Sequence, residues 1–73
     1  MQFEWDEVKN KSNIVKHGLD LILGALVWRD EKHLVMPDKR KDYGEDRFNC
    51  TGNTEYGVLT VCYTMRGENI RII

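Results

Sequence analysis

The C-terminal stretch decides the fold: residues 56–73 read Tyr-Gly-Val-Leu-Thr-Val-Cys-Tyr-Thr-Met-Arg-Gly-Glu-Asn-Ile-Arg-Ile-Ile. Residues 58–65 are rich in β-branched and aromatic side chains, a composition that favours a strand. Gly67 can take the positive φ of a tight reversal, after which residues 70–73 return as a second strand. The stretch therefore predicts a β-hairpin in which Met65 lies opposite Ile70.

Because side chains alternate across a strand, this hairpin has two faces. The first is apolar and is expected to form a wall of the core, with Leu59, Val61, Tyr63, Met65, Ile70 and Ile72. The second, which we call the outer face, is polar and carries Thr60, Cys62, Thr64, Arg66 and Arg71. A slip of one residue would bury both arginines, so the register is strongly specified.

A third strand, residues 45–51, is predicted to pair with residues 58–65 so that Phe48 lies opposite Val61. Cys50 and Cys62 then point to opposite faces of the sheet and cannot form a disulfide. The outer face gains three polar side chains from this strand, Glu45, Arg47 and Asn49.

Two helices are predicted ahead of the sheet. Asp6 is a good N-cap for a helix over residues 7–17, and Gly18 suits its left-handed end. Residues 21–28 are apolar almost all round, so a second helix, capped by Asp20, is expected to be largely buried.

Two short strands complete the prediction: residues 1–5 at an edge, and residues 33–36, which Pro37 stops. A charged loop, residues 38–42, follows. The expected fold class is α+β, with two N-terminal helices packed on one face of a small antiparallel β-sheet.

Size and charge limit the possible functions. The chain has 73 residues, which predicts one domain over residues 1–73. Its formal net charge of −1 argues against a nucleic-acid-binding protein that is basic over its whole surface. Residues 1–36 carry five Lys/Arg against six Asp/Glu, and residues 37–73 carry six against six. Any electropositive site must therefore come from local clustering.

Targeting and metal-binding signals are absent from the sequence. No apolar run is long enough to cross a bilayer, and no signal peptide is visible. Neither histidine has ligand spacing to Cys50 or Cys62. We therefore expect a cytoplasmic protein with reduced cysteines, no metal, no cofactor and no membrane association.

The outer face is the candidate site. Arg47, Arg66 and Arg71 together would bind an anion, because guanidinium groups hold phosphate bidentately and stay charged. Glu45 could hold one of these arginines in place or accept a proton. The alternative is a solvated sheet surface with cross-strand ion pairs such as Glu45–Arg71.

The first helix adds further candidates. His17 can act as a general acid or base near neutral pH, or it can simply complement the negative end of the helix. Lys9, Asn13 and Lys16 form one polar stripe. That stripe could follow a phosphate backbone or could be a solvated helix face.

A series of short segments, in order along the chain, carries a family resemblance. The segments are Phe3-Glu-Trp-Asp6, Lys9, Asn13, Lys16-His17-Gly18, the loop of residues 38–43, Gly44-Glu45-Asp46-Arg47, Tyr63-Thr64, Arg66 and Arg71-Ile72-Ile73. In this series the chain resembles the BrnT toxins over nearly its full length. The resemblance implies a RelE-like fold and a ribonuclease that arrests growth by blocking translation.

The family's motif positions fall on Lys9, Lys16, His17, Glu45, Arg47, Arg66 and Arg71, and the polar outer face suggests roles for them. In a metal-free endoribonuclease we expect Arg66 and Arg71 to clamp the phosphate and Glu45 or His17 to serve as base or acid. RNA would be bound by Arg47, Lys9 and Lys16. The expected partners are the RNA substrate and a BrnA-like antitoxin, in a homodimer or in a heterotetramer with the antitoxin.

One departure from the family affects this expectation. In the family, the strand ending Arg-Ile-Ile continues into Ser-Ala-Arg and a basic C-terminal segment, whereas this sequence stops at Ile73. The chain is therefore expected to lack that segment. The rival hypothesis is a non-catalytic module whose basic face docks an acidic partner segment within an antitoxin or repressor complex.

Overall fold

The computed structural model describes residues 2–40 and 42–73. Along the chain it has β1 (Phe3–Glu4), α1 (Glu7–His17), a 3₁₀ helix (Leu21–Arg29), β2 (Leu34–Pro37), β3 (Phe48–Thr54), β4 (Gly57–Arg66) and β5 (Asn69–Ile72). The five strands form one sheet in the order β1-β5-β4-β3-β2. The fold is α+β as predicted, but the strand directions in the sheet, the type of the second helix and the position of the third strand differ from the prediction.

The first correction concerns the sheet, which is mixed and not antiparallel. β1 pairs parallel to β5, with Phe3 opposite Ile70, while the other neighbouring strands pair antiparallel. The Ile70 amide donates to the Gln2 carbonyl at 2.8 Å. This pairing joins the two ends of the described chain, and no local pattern in the sequence predicts it.

The second correction concerns the helices. Residues Leu21–Arg29 wind as a 3₁₀ helix, with the Leu23 amide donating to the Asp20 carbonyl three residues back. A 3₁₀ helix rises about 2.0 Å per residue against about 1.5 Å for an α-helix, so the same residues cover more of the sheet. This helix packs on β3 and β4, whereas the helical contact of α1 is with the 3₁₀ helix.

The helix ends follow the sequence prediction. The Asp6 carboxylate accepts from the Val8 amide at 2.9 Å, and Gly18 closes α1 in the left-handed conformation. Val8 and Val15 on α1 are nevertheless 78% and 87% exposed. These apolar side chains of α1 therefore face away from the core, because the 3₁₀ helix occupies the inner face of the sheet.

The C-terminal hairpin has the predicted register. Met65 lies opposite Ile70, Thr64 opposite Arg71 and Tyr63 opposite Ile72. Met65 is the exception on the core wall, because it is 44% exposed at the hairpin end. The core consists of Val27, Cys50, Val61, Tyr63, Ile70 and Ile72.

The third strand lies further along the chain than predicted. β3 covers Phe48–Thr54, and Phe48 pairs with Tyr63 instead of Val61. Gly52, which follows the predicted strand, lies inside β3, where an added Cβ would come within 2.8 Å of the Val27 carbonyl oxygen. Glycine is needed here because the 3₁₀ helix comes so close to the strand.

Candidate functional site

Five of the seven side chains that the sequence predicts for the site line one cleft at the end of the outer face. This arginine cleft has a volume of about 100 Å³. Its described lining consists of Asp6, Lys9, Glu45, Arg47, Thr64, Arg66, Arg71, Ile72 and Ile73. Four cationic side chains face two carboxylates, so the lining has an excess of positive charge that suits an anionic ligand.

The two C-terminal arginines come from paired strands. Arg71 lies on β5 opposite Thr64, and its Nη1 is 3.6 Å from the Glu4 carboxylate on β1. Arg66 stands exposed at the end of β4 and forms no ion pair with any residue in the described part of the chain. Its guanidinium group can therefore meet a ligand without first leaving a carboxylate.

Arg47 and Glu45 come from the loop before β3, not from the strand as predicted. The Arg47 Nε donates to Glu45 Oε2 at 3.0 Å, so Glu45 pairs with Arg47 and not with Arg71 as in the alternative of a solvated sheet surface. The β3–β4 pairing differs from prediction by two residues, which preserves the face of each side chain. Continued by one residue, this pairing brings Arg47 level with Thr64 and Arg71.

Asp38 anchors the loop that carries Glu45 and Arg47. Its side chain is 1% exposed and forms a bidentate pair with Arg40, at 2.9 Å to Nε and 2.8 Å to Nη2. Hydrogen bonding from Arg40 lowers the pKa of the Asp38 carboxyl far below its usual range, and Asp38 in turn raises the pKa of Arg40. Both partners of this ion pair are therefore charged near neutral pH.

Tyr43 and Thr64 connect this loop to the arginine cleft. The Tyr43 hydroxyl donates to Asp38 Oδ2 at 3.3 Å, and the guanidinium carbon of Arg47 lies 4.1 Å from the centre of the Tyr43 ring. Thr64 on β4 donates its hydroxyl to the Asp46 carbonyl at 2.6 Å. Thr64 is only 4% exposed. The loop therefore covers this part of the outer face, in contrast to the solvated surface of the alternative prediction.

His17 and Lys16 lie elsewhere. They line a shallow groove of about 260 Å³ on α1 with Lys9, Ser12 and Asn13. Lys9 lines both this groove and the arginine cleft. His17 and Lys16 are therefore not part of the lining of the arginine cleft, while Lys9 lines both surfaces.

The cysteines are free and lie on opposite faces, as predicted. Burial raises the pKa of the Cys50 thiol, and burial together with the nearby Asp38 charge raises that of Cys62. Neither thiol is a ready nucleophile near neutral pH. Among residues 2–40 and 42–73, no three His, Cys, Asp or Glu side chains are placed to hold a metal ion.

Sequence reasoning missed the contributions of Asp6, Glu4, Tyr43 and Asp38. Glu4 reaches Arg71 only through the parallel β1–β5 pairing, which has no local signal. The position of Asp38 does have a local sequence signal, because an aspartate often accepts from the amide two residues on. Asp38 accepts from the Arg40 amide at 3.2 Å.

The fold and the cleft define a small α+β protein whose concentrated positive charge fits a phosphate-bearing ligand. A family model described as the ribonuclease toxin BrnT of type II toxin–antitoxin systems matches residues 5–73. The chain therefore belongs to the BrnT family of ribonuclease toxins, which implies an RNA target and an antitoxin partner. A search among curated proteins found no match. No helix in the described residues is long and apolar enough to span a membrane.

Proposed function

We propose that the chain is a metal-independent endoribonuclease that cuts RNA in the arginine cleft and so inhibits translation in the cytoplasm. The observation that carries this proposal is the joint placement of Lys9, Glu45, Arg47, Arg66 and Arg71 around one cleft. The proposed partner is a BrnA-like antitoxin. Family membership supports the ribonuclease class, and the cleft supports the site.

The proposed reaction is transfer of the scissile phosphate to the neighbouring 2′-oxygen. The 2′-OH loses its proton to Glu45, the 2′-oxygen attacks phosphorus, and the 5′-oxygen leaves and takes up a proton. Arg66 and Arg71 stabilise the charge on the phosphorane, because fixed donors aimed at developing charge lower the barrier. Glu45 suits the base because it lines the cleft, and its bond from Arg47 orients the carboxylate.

His17 has a different role in this proposal. It lies in the α1 groove with Lys16, and Lys9 joins that groove to the arginine cleft. We assign His17 and Lys16 to binding the RNA that extends from the cleft. Basic side chains along such a path supply affinity that is independent of sequence.

The test is cleavage of RNA by purified protein, without a partner, with and without Arg66→Ala and Arg71→Ala together. The matched control, Lys11→Ala with Arg29→Ala, removes the same charge from exposed positions outside the cleft lining. We expect the arginine variant to lose about 100-fold or more in cleavage rate, while the control keeps most of its activity. Both should unfold at the temperature of the parent, since Arg66 and Arg71 are outside the core.

Equal cleavage by the two double variants would place the site elsewhere. No cleavage by the folded parent protein would instead favour the rival hypothesis, in which the basic face docks an acidic segment of a partner. Binding of a glutamate-rich peptide to the parent, abolished by Arg66→Ala and Arg71→Ala, would then support that hypothesis.

A further inference from the structure

The loop of residues 38–40 and 42–47, which we call the anchor loop, closes on a single buried carboxylate. Charged side chains are seldom buried unless they are paired, and Asp38 is 1% exposed. Its four donors are the Arg40 guanidinium, the Arg40 amide, the Tyr43 hydroxyl and the Cys62 thiol, the last at 3.9 Å.

The same residue closes the base of the loop through its backbone. The Asp38 amide donates to the Arg47 carbonyl at 2.8 Å. Its side chain meanwhile reaches Tyr43, whose ring lies under the Arg47 guanidinium. Arg47 is thus held from both its main chain and its side chain by groups that depend on Asp38.

We propose that Asp38, held by Arg40, is a positioning residue for the arginine cleft: it keeps the anchor loop closed over Cys62 and so places Arg47 and Glu45 beside Arg71. Asp38 does not line the cleft and acts through Tyr43 and Arg47. The part of this inference that concerns RNA rests on the proposed function. The part that concerns the loop does not.

The loop part is tested by the labelling of Cys62 with a thiol reagent, read at each cysteine by mass spectrometry. Cys62 lies on the outer face under the loop, and Cys50 lies in the core as an internal reference. The informative variant is Arg40→Gln, with Lys39→Gln as the matched control, an exposed cation of the same loop.

Arg40→Gln separates loop opening from electrostatics by the sign of the effect. The Arg40 charge lowers the pKa of the Cys62 thiol, so its removal would raise that pKa and slow labelling if the loop stayed closed. Opening of the loop would speed labelling. We expect Cys62 to label about 10-fold faster in Arg40→Gln, with Cys50 and the Lys39→Gln control unchanged, as for a local opening.

Slower or unchanged labelling of Cys62 would overturn the proposal. If the labelling of Cys50 accelerated as much as that of Cys62, the Asp38–Arg40 ion pair would stabilise the whole fold and not only the loop. The proposal would then also fail. Tyr43→Phe gives a milder second variant, because it keeps the ring under Arg47 and loses only the hydroxyl. Its matched control is Tyr56→Phe on an exposed turn. Tyr43→Phe should accelerate the labelling of Cys62 alone, and the control should accelerate neither cysteine.

The RNA part is tested by a double-mutant cycle of Arg40→Gln with Arg47→Ala, measuring kcat and KM for RNA cleavage. If Arg40 and Asp38 act through Arg47, Arg40→Gln should lower kcat/KM several-fold in the parent and have little further effect in Arg47→Ala. Additive losses would mean that Arg40 contacts RNA directly or is only structural. Failure of the proposed function would instead appear as retained cleavage by the variant that carries both Arg66→Ala and Arg71→Ala. The labelling result does not depend on that outcome.

Discussion

Asn10 is the residue on which the packing of α1 depends. Its side chain is 3% exposed, donates to Asp20 at 2.8 Å and accepts from the Leu21 amide at 2.8 Å. One amide thus joins α1 to the start of the 3₁₀ helix. Because Val8, Ile14 and Val15 of α1 are exposed, the attachment of α1 depends more on this polar contact than on apolar packing.

Asn10→Ala should therefore destabilise the protein by about 1–3 kcal/mol, because it leaves the Leu21 amide without its acceptor in a part-buried position. For a chain of this size, that corresponds to a fall in Tm of about 4–8 °C for each kcal/mol. Thermal unfolding followed by circular dichroism measures it, with Asn53→Ala on the exposed side of β3 as control. An unchanged Tm would mean that α1 is held by other contacts.

At the scale of the elements, the position of the 3₁₀ helix depends on two glycines. At Gly24 an added Cβ would lie 2.9 Å and 3.2 Å from the two methyl groups of Val61, which are side-chain atoms. At Gly52 it would lie 2.8 Å from the Val27 carbonyl oxygen, which belongs to the backbone and cannot move without shifting the helix. The two sites therefore differ in how well they can relax.

We expect Gly52→Ala to destabilise the protein by about 1–3 kcal/mol, as overpacking commonly does. Gly24→Ala should cost less, because its closest contacts are side-chain atoms and not the backbone. Urea unfolding of the two variants side by side gives the comparison. A larger loss in Gly24→Ala would contradict the assignment of Gly52 as the closer contact.

The elements also show what the sequence can and cannot predict. The β4–β5 register follows from local alternation and one turn, and the structure confirms it. The predicted bounds of β3 are wrong because a glycine such as Gly52 weakens a strand pattern, whereas here the close approach of the 3₁₀ helix requires it. The outer-face arginines were predicted because face depends only on alternation. The positions of Glu4 and Asp38 depend on non-local pairing and burial, which no short pattern encodes.

At the scale of the whole molecule, two carboxylates connect segments that are distant in the chain. Asp30, at the end of the 3₁₀ helix, accepts from the Asn53 amide on β3 at 2.8 Å and from the Lys32 amide at 2.9 Å. These bonds lower the pKa of the Asp30 carboxyl, as Arg40 lowers that of Asp38. Both groups are therefore harder to protonate in the folded state than in the unfolded chain.

This difference gives the stability of the whole fold a defined pH dependence. A carboxyl whose folded pKa is lowered contributes stability above its ordinary pKa, which is 3.8 for these groups, and loses it as the pH falls through the folded pKa. We expect the urea midpoint to fall steadily below about pH 4. Asp30→Asn with Asp38→Asn should flatten this acid limb while lowering stability near neutral pH. The control, Asp42→Asn, changes an exposed carboxylate that accepts from the Gly44 amide two residues on, and it should leave the acid limb intact. An acid limb of equal slope in the parent and the double variant would show that other carboxylates govern acid unfolding.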